Sequence, residues 1–573
     1  MQFNRLFWQD LLLILTMAVL AGCGLIYEYL LSHYAGRVLG VMESAIYSMI
    51  GLMIVSMGLG AFAARKIKCA FNGFVWLELT VALIGTTAIL MISGIVAFTQ
   101  LLPQIIADTY AIPPDATPRG GLFKQLTWLA LKTPYFFGFI LGFLIGMEIP
   151  LIAKIREHIH QKHLENNLGT IYGADYIGAG IGAAIWVTFL LTIDISKASA
   201  LTAALNLLAG AVFIFVYWSK LKYRLTLVSG HILLLIGLVL IYFNGNQWLN
   251  QMSNLLYLDK VVHSEKTVYQ QVTITERRLG NEQPSIFNLY LNGRLQFSSA
   301  DEHIYHSYLV APTLEGSARQ ENILIIGGGD GLALRDVLTW HPKQVTLVDL
   351  DKALVDLFKA PKETLEPGLA RRITELNHNS LSHPNVNLLH GDAFIVIDEL
   401  LRQGKVYDSI IVDLPDPSHP DLNKLYSVNF YARLKQLLSG DGLISVQSTS
   451  PYHAKNAFIS IGKTMKAAGF LHVEQYHDNV PSFGEWGWTI AAKAGLSARQ
   501  RLSQKHQFSR PQTWLTLPML LGSFEFAEGF YQQISEIPIN YLGSHAIYQL
   551  HQQAWQDQQG IHSAFMHQEQ NKN

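Results

Sequence analysis

The chain has little charge for its size. Only 15% of its 573 residues are Asp, Glu, Lys or Arg, whereas half are hydrophobic. Soluble domains average about 25% charged residues. The deficit is local, because long apolar runs dominate before about Trp248 and an ordinary density of polar residues follows. The sequence therefore predicts a membrane-embedded half joined to a water-soluble half.

Cysteine and excess positive charge are also scarce. The net charge is −1, so nothing in the composition suggests nucleic-acid binding, which would need a basic stripe on the surface. The two cysteines, Cys23 and Cys69, lie in or beside apolar segments, which excludes a disulfide framework. The sequence contains no His/Cys cluster with the spacing of a metal site. We therefore expect no nucleic-acid partner, metal or prosthetic group.

Seven apolar stretches are long enough to cross a bilayer, which needs about 20 such residues. They lie near 8–32, 39–64, 74–99, 134–153, 169–192, 198–218 and 224–244. Small residues recur in "GLGAFAA" and "GADYIGAGIGAAIW", which favours a packed bundle over a lone anchor. The first run is too long for a cleaved signal. Within it, "LAGC" is interpreted as small residues at a helix contact rather than as a lipoprotein cleavage box.

Basic residues indicate the orientation of the bundle. Three alternate loops are rich in them: Arg65, Lys66 and Lys68; Lys154, Arg156 and Lys162; Lys220, Lys222 and Arg224. The positive-inside rule places these loops and the N-terminus in the cytoplasm. Seven spans would then put the soluble half outside, which conflicts with the cytosolic location inferred below. An additional crossing or re-entrant piece near residues 95–106 would reconcile the two.

Four acidic residues lie within or at the ends of the spans: Glu28, Glu78, Glu148 and Asp175. A carboxylate at membrane depth is costly and usually faces a cavity or a partner. Two interpretations stay open, namely interfacial or helix-to-helix hydrogen bonding, and contact with a cationic ligand.

The soluble half begins with short alternating runs between about 258 and 297, such as "QQVTITER" and "SIFNLYLNG". The "LNGR" segment predicts a hairpin, so these runs form a small antiparallel sheet. A helix-like stretch follows at 300–314. Five strand-like runs then alternate with helical patterns; they lie near 321–327, 344–351, 386–394, 407–417 and 442–449. This predicts a mostly parallel, doubly wound sheet. We divide the chain into a transmembrane domain (1–250), a β subdomain (251–318), an α/β domain (319–500) and a C-terminal helical extension (501–573).

The segment "ENILIIGGGDGLALRDVL" (321–338) is a buried strand running into a glycine turn that contains Gly327 and Gly329. Such turns usually receive a nucleotide phosphate, which Asp330 would repel. Asp330 would also oppose the carboxylate of S-adenosylmethionine. A nucleoside with a cationic tail and no carboxylate, such as decarboxylated S-adenosylmethionine, fits the turn better.

Further acids follow the later strands. Asp349 lies about 20 residues beyond the glycines, where an acid commonly binds ribose hydroxyls. Asp392 in "HGDAF" fits a ligand contact, but a turn former or helix cap is the plain alternative. Asp413 and Asp416 in "VDLPDP" flank Pro415 and are similarly ambiguous between turn and site. Their common place at the carboxyl ends of strands favours function.

These motifs together resemble the polyamine aminopropyltransferases, the spermidine synthase family, over residues 258 to about 495. The stretches that match are "VYQQVTI", "LYLNGRLQFSSADEHIYHSYL", "ILIIGGGDG", "VDLD", "HGDAF" and "VDLPDP". The apolar half resembles the multi-span region fused to some bacterial members. The resemblance implies a Rossmann-like fold of the methyltransferase type, and transfer of an aminopropyl group from decarboxylated S-adenosylmethionine to a diamine such as putrescine.

The resemblance also implies a role for individual residues. At the nucleoside end, Gln270 would contact the nucleoside, Asp330 the ammonium and Asp349 the ribose, with Asp392 and Ala393 at the adenine edge. At the reacting end, Tyr305 and Asp413 would flank the carbon that is attacked, with Asp413 the proton acceptor, while Asp416 and Gln296 would lie at the amine. Phe483 stands where many members have tyrosine, which removes a hydroxyl from the amine pocket.

Two other functions remain as alternatives: a membrane transporter or sensor whose soluble half binds ligand without turnover, and an S-adenosylmethionine-dependent methyltransferase. Because decarboxylated S-adenosylmethionine is made in the cytosol, we expect a multi-pass protein of the bacterial inner membrane with a cytoplasmic catalytic half. We also expect contact with lipid and a homo-oligomer. No chemical role is assigned to residues 501–573.

Overall fold

A computed structural model describes residues 2–39, 42–110, 121–161, 167–255, 257–278, 285–361, 365 and 367–558. The chain divides into two compact units, Met1–Leu258 and Asp259–Asn573. Of the basic loop residues named above, Lys162 lies outside the described residues.

The first unit is helical. Its helices are α1 (Gln2–Leu39), α2 (Met42–Ala63), α3 (Ala70–Thr109), α4 (Leu122–Leu131), α5 (Thr133–Ile145), α6 (Glu148–His160), α7 (Asn167–Thr188), α8 (Ile195–Val216) and α9 (Arg224–Asn254). Seven segments of the described chain are long and apolar enough to cross a membrane, as predicted.

Two of these segments are longer than the sequence indicates. The fourth covers Leu122–His160 and includes α4, α5 and α6, with a break at Gly146 and Met147. The third covers Ala70–Ala107 within the single helix α3. Residues 95–106 continue α3 without interruption, so the additional re-entrant element proposed there does not occur.

Small residues bring α1 and α7 into close contact. A methyl group added at Gly178 of α7 would lie 1.9 Å from the carbonyl oxygen of Ala18, and one at Gly182 would lie 2.5 Å from that of Gly22. Both distances are far below van der Waals contact, so glycine is required at each position. This confirms the helix-contact interpretation of "LAGC" and of the glycine-rich "GADYIGAGIGAAIW" segment.

The second unit begins with a four-stranded antiparallel sheet in the order β1-β2-β3-β4. Its strands are β1 (Lys260–Lys266), β2 (Gln271–Arg277), β3 (Ile286–Leu291) and β4 (Arg294–Ser298). Asn292 and Gly293 both have positive φ angles, 51° and 79°, at the predicted hairpin turn between β3 and β4. Asn and Gly tolerate that conformation best, which explains the turn.

A seven-stranded sheet follows, with the order β10-β11-β9-β8-β5-β6-β7. Its strands are β5 (Asn322–Gly327), β6 (Gln344–Asp349), β7 (Val386–His390), β8 (Tyr407–Asp413), β9 (Leu438–Gln447), β10 (His472–Val480) and β11 (Gly484–Ala492). Strands β5 to β9 pair in parallel, whereas β10 and β11 pair antiparallel at one edge. The predicted Rossmann-like core is confirmed, but the sequence reasoning missed β10 and β11.

Ten helices of the described chain accompany the two sheets. They are α10 (Glu302–Gly316), α11 (Leu332–Leu338), α12 (Lys352–Lys359), α13 (Pro367–Leu376), α14 (Ala393–Arg402), α15 (Val428–Leu437), α16 (Lys455–Ala467), α17 (Ala498–Ser503), α18 (Leu517–Gly522) and α19 (Ala546–Gln558). Residues 323–326 of β5 and 410–412 of β8 are apolar and buried because both faces of the sheet are covered. The carboxyl ends of β5, β6 and β8 therefore meet at one edge of the sheet.

We expect Gly178→Ala to destabilise the protein by about 1–3 kcal/mol or more, because the new methyl group would overlap the backbone of α1. Gly180→Ala is the matched control, since a methyl group there contacts nothing within 4 Å. Ala is the better helix former, so this control should be neutral or slightly stabilising. Thermal unfolding of the purified full chain in detergent would measure both changes. Equal midpoints for the two variants would contradict the close contact.

Candidate active site

The turn after β5 brings the backbone of one strand against that of its neighbour. Gly327, Gly328 and Gly331 have φ angles of 81°, 64° and 81°, which favour glycine. A methyl group at Gly327 would lie 2.0 Å from the carbonyl oxygen of Asp413, and the N–H of Gly328 donates to that oxygen at 3.1 Å. The glycines therefore allow the ends of β5 and β8 to approach closely enough to hold their acids in one crevice.

Asp330 occupies the turn between β5 and α11. One of its carboxylate oxygens, Oδ1, accepts the N–H of Leu332 at 2.9 Å, at the start of α11. Burial raises the pKa of Asp330 to about 6; the charge of His306 opposes this, and that of Asp413 adds to it. A positively charged ligand would relieve this cost.

Asp349 ends β6 beside the same turn. A methyl group at Gly329 would lie 2.8 Å from Asp349 Oδ2, and the other oxygen accepts the N–H of Asp351 at 2.8 Å. Burial raises the pKa of Asp349 to about 6. Gln270 does not bond Asp349; its Nε2 donates to Asp351 at 2.9 Å. Asp351, which sequence reasoning missed, thus positions Gln270 at the crevice.

Asp392 caps the N-terminus of α14, as the helix-cap alternative in the sequence analysis predicted. Its Oδ1 accepts the N–H of Phe394 at 3.0 Å, and its Oδ2 pairs with Lys424 Nζ at 2.5 Å. Ala393 begins α14 and is buried. Capping and a contact with adenine do not exclude each other, so the adenine role of Asp392 and Ala393 stays a prediction.

Asp413 is the last residue of β8, and two residues of α10 contact its carboxylate. The hydroxyl of Tyr305 donates to Asp413 Oδ1 at 2.7 Å, so the two residues that were predicted to flank the same carbon lie side by side. His306 Nε2 lies 3.8 Å from Asp413 Oδ2. The other ring nitrogen of His306 lies 2.9 Å from Glu302 Oε2, and Arg335 binds both oxygens of Glu302 at 2.8 and 3.0 Å.

This chain of charges from Arg335 through Glu302 and His306 to Asp413 was missed from the sequence. The spacing of Glu302 and His306, four residues apart on one helix, was the available signal. Burial lowers the pKa of His306, but the hydrogen bond and charge of Glu302, with the charges of Asp413 and Asp330, raise it to about 9. A charged imidazolium therefore faces Asp413 at neutral pH.

Two opposing effects act on Asp413. Burial raises its pKa above the ordinary value, while the charge of His306 and the hydrogen bond from Tyr305 lower it. Burial prevails. The carboxylate is thus a stronger base than an exposed aspartate, which suits a group that must accept a proton.

Asp416 follows β8 and is contacted by the C-terminal extension. Its Oδ1 accepts from Gln447 Nε2 at 3.2 Å, and its Oδ2 lies 3.2 Å from Nε2 of His551, a buried residue of α19. Burial raises the pKa of Asp416, but these contacts outweigh it and the pKa falls below its ordinary value. The C-terminal extension, to which no role was assigned from the sequence, therefore contacts the candidate site through His551.

The remaining two predicted residues lie near this end. The ring of Phe483 packs against Tyr305, with centroids 6.1 Å apart, and against Trp486 at 4.9 Å. Gln296 is half-buried and donates to the carbonyls of Arg294 and Leu295, not to an acid of the crevice. Its neighbour Arg294 is close enough to Asp416 to act on it electrostatically.

Comparison with known proteins identifies the family of the chain. Residues 302–501 match the family model of the spermine/spermidine synthase domain. A polyamine aminopropyltransferase of Shewanella oneidensis is 58% identical over 559 residues, covering 97% of both chains. The chain belongs to the polyamine aminopropyltransferase family.

More distant members share the same length of chain. Polyamine aminopropyltransferase 1 of Streptomyces coelicolor is 34% identical and covers 86% of each chain. The polyamine aminopropyltransferase of Oceanobacillus iheyensis is 30% identical over 95% of this chain and 97% of its own. Because these matches extend through both units, the apolar half of this aminopropyltransferase is shared with its relatives. The predicted family and enzyme class are confirmed.

The raised pKa of His306 predicts how the stability of the aminopropyltransferase depends on pH. The pKa of His306 in the folded state is about 9, above the ordinary value of 6.5. Protonated His306 therefore stabilises the fold fully below about pH 6.5, and this contribution is lost as the pH rises through about 9. His306→Gln should therefore lower the unfolding midpoint at pH 6 and have a smaller effect at pH 9.5. Scanning calorimetry at both values measures this, with exposed His506→Gln as control. If His306→Gln lowered the unfolding midpoint equally at both pH values, the proposed charge on the His306 imidazole would be contradicted.

Proposed function

We propose that this enzyme transfers the aminopropyl group of decarboxylated S-adenosylmethionine to a primary amine of a diamine such as putrescine. The amine nitrogen attacks the aminopropyl carbon next to the sulfonium, the C–S bond breaks, and its electron pair stays on sulfur. The products are neutral methylthioadenosine and a polyamine such as spermidine, with one proton released. The observation that carries this proposal is the meeting of Asp330, Asp349 and Asp413 at the carboxyl ends of β5, β6 and β8.

The nucleoside end follows from the placement of the first two acids. Asp330, whose pKa near 6 leaves it largely ionised at neutral pH, holds the ammonium at the end of the aminopropyl group. Asp349 accepts hydrogen bonds from the ribose hydroxyls, and Gln270 contacts the nucleoside from the side of Asp351. Asp392 and Ala393 border the adenine. A carboxylate at Asp330 disfavours S-adenosylmethionine, whose own carboxylate would face it.

Asp413 acts at the reacting carbon. An alkylammonium has a pKa of about 10, as lysine has, and becomes nucleophilic only after it loses a proton. Asp413 accepts that proton, and its basicity is raised by burial. The Tyr305 hydroxyl fixes the carboxylate at 2.7 Å, so the proton acceptor is oriented before the amine binds.

The far end of the amine lies toward Asp416. This carboxylate stays ionised because its pKa is lowered, so it can bind the second ammonium of a diamine. Phe483 packs on Tyr305 and supplies an apolar wall for the methylene chain. Gln296 would border the same pocket from β4.

Asp413→Asn should reduce kcat by about 10²–10⁴-fold, the usual contribution of a general base, while binding of decarboxylated S-adenosylmethionine is retained. Asp421→Asn is the matched control, since that acid lies in a short 3-10 helix after β8 and its side chain is 82% exposed. Methylthioadenosine release measures kcat, and equilibrium dialysis measures binding. A sensor or transporter without turnover would show no release from the wild type. Release of S-adenosylhomocysteine from S-adenosylmethionine would instead establish the methyltransferase alternative.

His551→Ala should raise the KM for putrescine several-fold, because Asp416 loses the contact that positions it and lowers its pKa. The KM for decarboxylated S-adenosylmethionine and kcat should change little. His551→Gln, which keeps a nitrogen donor, should restore part of the affinity, and exposed His506→Gln serves as a neutral control. An equal rise in both KM values would contradict a role specific to the amine end.

We also propose that the catalytic unit faces the cytoplasm, because its nucleoside co-substrate is made there. With seven candidate spans and a cytoplasmic N-terminus, simple alternation places it on the opposite side. Our proposal predicts that a reporter active only in the cytoplasm is active when it is fused after Asn573, whereas simple alternation predicts that it is inactive. An inactive fusion, together with an active fusion to a periplasmic reporter, would contradict the proposed orientation. The homo-oligomer and the lipid contact remain predictions.

A further inference from the structure

A cluster of polar side chains lies inside the helical unit. Glu78 of α3 and Glu148 of α6 are 0% and 1% exposed. Asn206 of α8 donates to Glu78 Oε2 at 2.9 Å, and the hydroxyl of Tyr27 of α1 donates to Asn206 Oδ1 at 3.3 Å. Four helices that are distant in sequence thus contribute to one buried polar centre.

This centre has hydrogen-bonding capacity that the protein does not use. Among the described residues, Glu78 Oε1, Glu148 Oε2 and His231 Nε2 are buried and have no hydrogen-bond partner. The two carboxylates are close enough to act on each other electrostatically, and Cys23 of α1 is close enough to be acted on by both. No lysine or arginine of the described chain forms an ion pair with either acid. Leaving such groups without a partner costs several kcal/mol, on the order of 1–3 for each.

The three groups all lie inside their helices, nearer to the same side of the bundle. Glu78 is eight residues from the start of α3 at Ala70, and Glu148 is twelve residues from the end of α6 at His160. His231 is seven residues from the start of α9 at Arg224. At 1.5 Å per residue these separations correspond to about 12, 18 and 10 Å. All three helix ends adjoin the basic loops, so the centre lies well inside the bundle on the side of those loops.

A break in the fourth candidate span places Glu148 at this depth. Helix α5 ends at Ile145 and α6 begins at Glu148, so the acid stands in the first turn after an interruption. Gly146 and Met147 keep helical φ and ψ angles, so the break is a local tightening of the helix and does not unwind the chain. The observation that indicates a ligand, separate from the acids themselves, is the buried ring nitrogen Nε2 of His231, which has no hydrogen-bond partner among the described residues.

An apolar cavity of about 510 Å³ lies between α8 and α9 and is open to the outer surface of the bundle, where its lining residues Leu208 and Ile232 are exposed. His231 lines it together with Leu207, Ala211, Ile214 and Leu235. A methyl group at Gly210 would lie 2.6 Å from His231 Nε2 and 3.6 Å from Cβ of Glu78, so the imidazole separates the cavity from the acids by one residue. The cavity therefore brings an open apolar surface close to the acids.

We propose that Glu78 and Glu148 bind the ammonium groups of a diamine or polyamine within the helical unit. A metal ion is disfavoured because no group of three or more His, Cys, Asp or Glu among the described residues could hold one. An ammonium supplies several N–H donors for the unpartnered carboxylate oxygens, and two carboxylates match the two charges of a diamine. The choice of an alkylammonium over other organic cations rests on the proposed function of the catalytic unit.

Binding to the full-length protein in lipid nanodiscs tests the proposal. Equilibrium dialysis with radiolabelled putrescine and, separately, spermidine should show two sites per chain, one in each unit. Glu78→Gln and Glu148→Gln should each weaken one of them at least tenfold, without changing kcat or KM for aminopropyl transfer. Glu28→Gln is the matched control, because Glu28 is a largely buried acid of α1 that does not interact with the cluster. Unchanged binding in both cluster variants would overturn the proposal.

A second measurement uses the wild-type protein and does not depend on whether the variants fold. Dicyclohexylcarbodiimide modifies carboxyl groups in apolar surroundings, and mass spectrometry locates them. Putrescine should slow modification of Glu78 and Glu148 but not of Glu28. Protection by sodium chloride alone, or labelling that responds to pH but not to putrescine, would mean an inorganic cation or a shared proton, and either would overturn the proposal. Binding in the bundle can be seen even if aminopropyl transfer fails, so the two proposals fail separately.

Discussion

The catalytic unit depends on the contact between the backbone of Gly327 and that of Asp413. Only a residue without Cβ allows β5 and β8 to come this close, since a methyl group would lie 2.0 Å from the opposing carbonyl oxygen. The close approach puts the Asp330 turn and the Asp413 carboxylate in one crevice, with Asp349 of β6 beside them. Everything proposed for the reaction requires these three acids to share one ligand.

Gathering carboxylates in a half-buried crevice is costly, and the fold offsets the cost from different elements. His306 of α10 faces Asp413 and is kept charged by Glu302, which Arg335 binds in turn. His551 of α19 contacts Asp416. The compensation is uneven, because Asp330 and Asp349 keep raised pKa values while that of Asp416 is lowered. Asp413, the proposed proton acceptor, also keeps a raised pKa. Asp330 and Asp349 are assigned to the nucleoside co-substrate, whose cationic tail would supply the missing charge at Asp330.

The helical unit presents the same electrostatic problem with a different outcome. Arg156 of α6 is paired through two hydrogen bonds with Asp10 of α1, at 2.7 and 2.8 Å, near the ends of those helices. Deeper in the bundle, Glu78 and Glu148 have only Asn206 as a hydrogen-bonding neighbour among the described contacts, and it bonds Glu78 alone. A carboxylate paired with arginine has a structural explanation. The two deeper carboxylates have no cationic partner among the described residues, and the ligand proposed above would supply one.

Local sequence determined much of this protein. Apolar runs predicted the seven candidate spans, and Asn292-Gly293 predicted the hairpin, because each depends on neighbouring residues alone. The alternation of strands and helices predicted the parallel strands β5 to β9, but not β10 and β11. Only the tertiary structure decided which groups control the charges. His306 and His551 reach their acids from helices about 100 and 135 residues away in the chain, and Gln270 is held by Asp351 rather than Asp349. Such pairings follow from packing in three dimensions, and no local pattern records them.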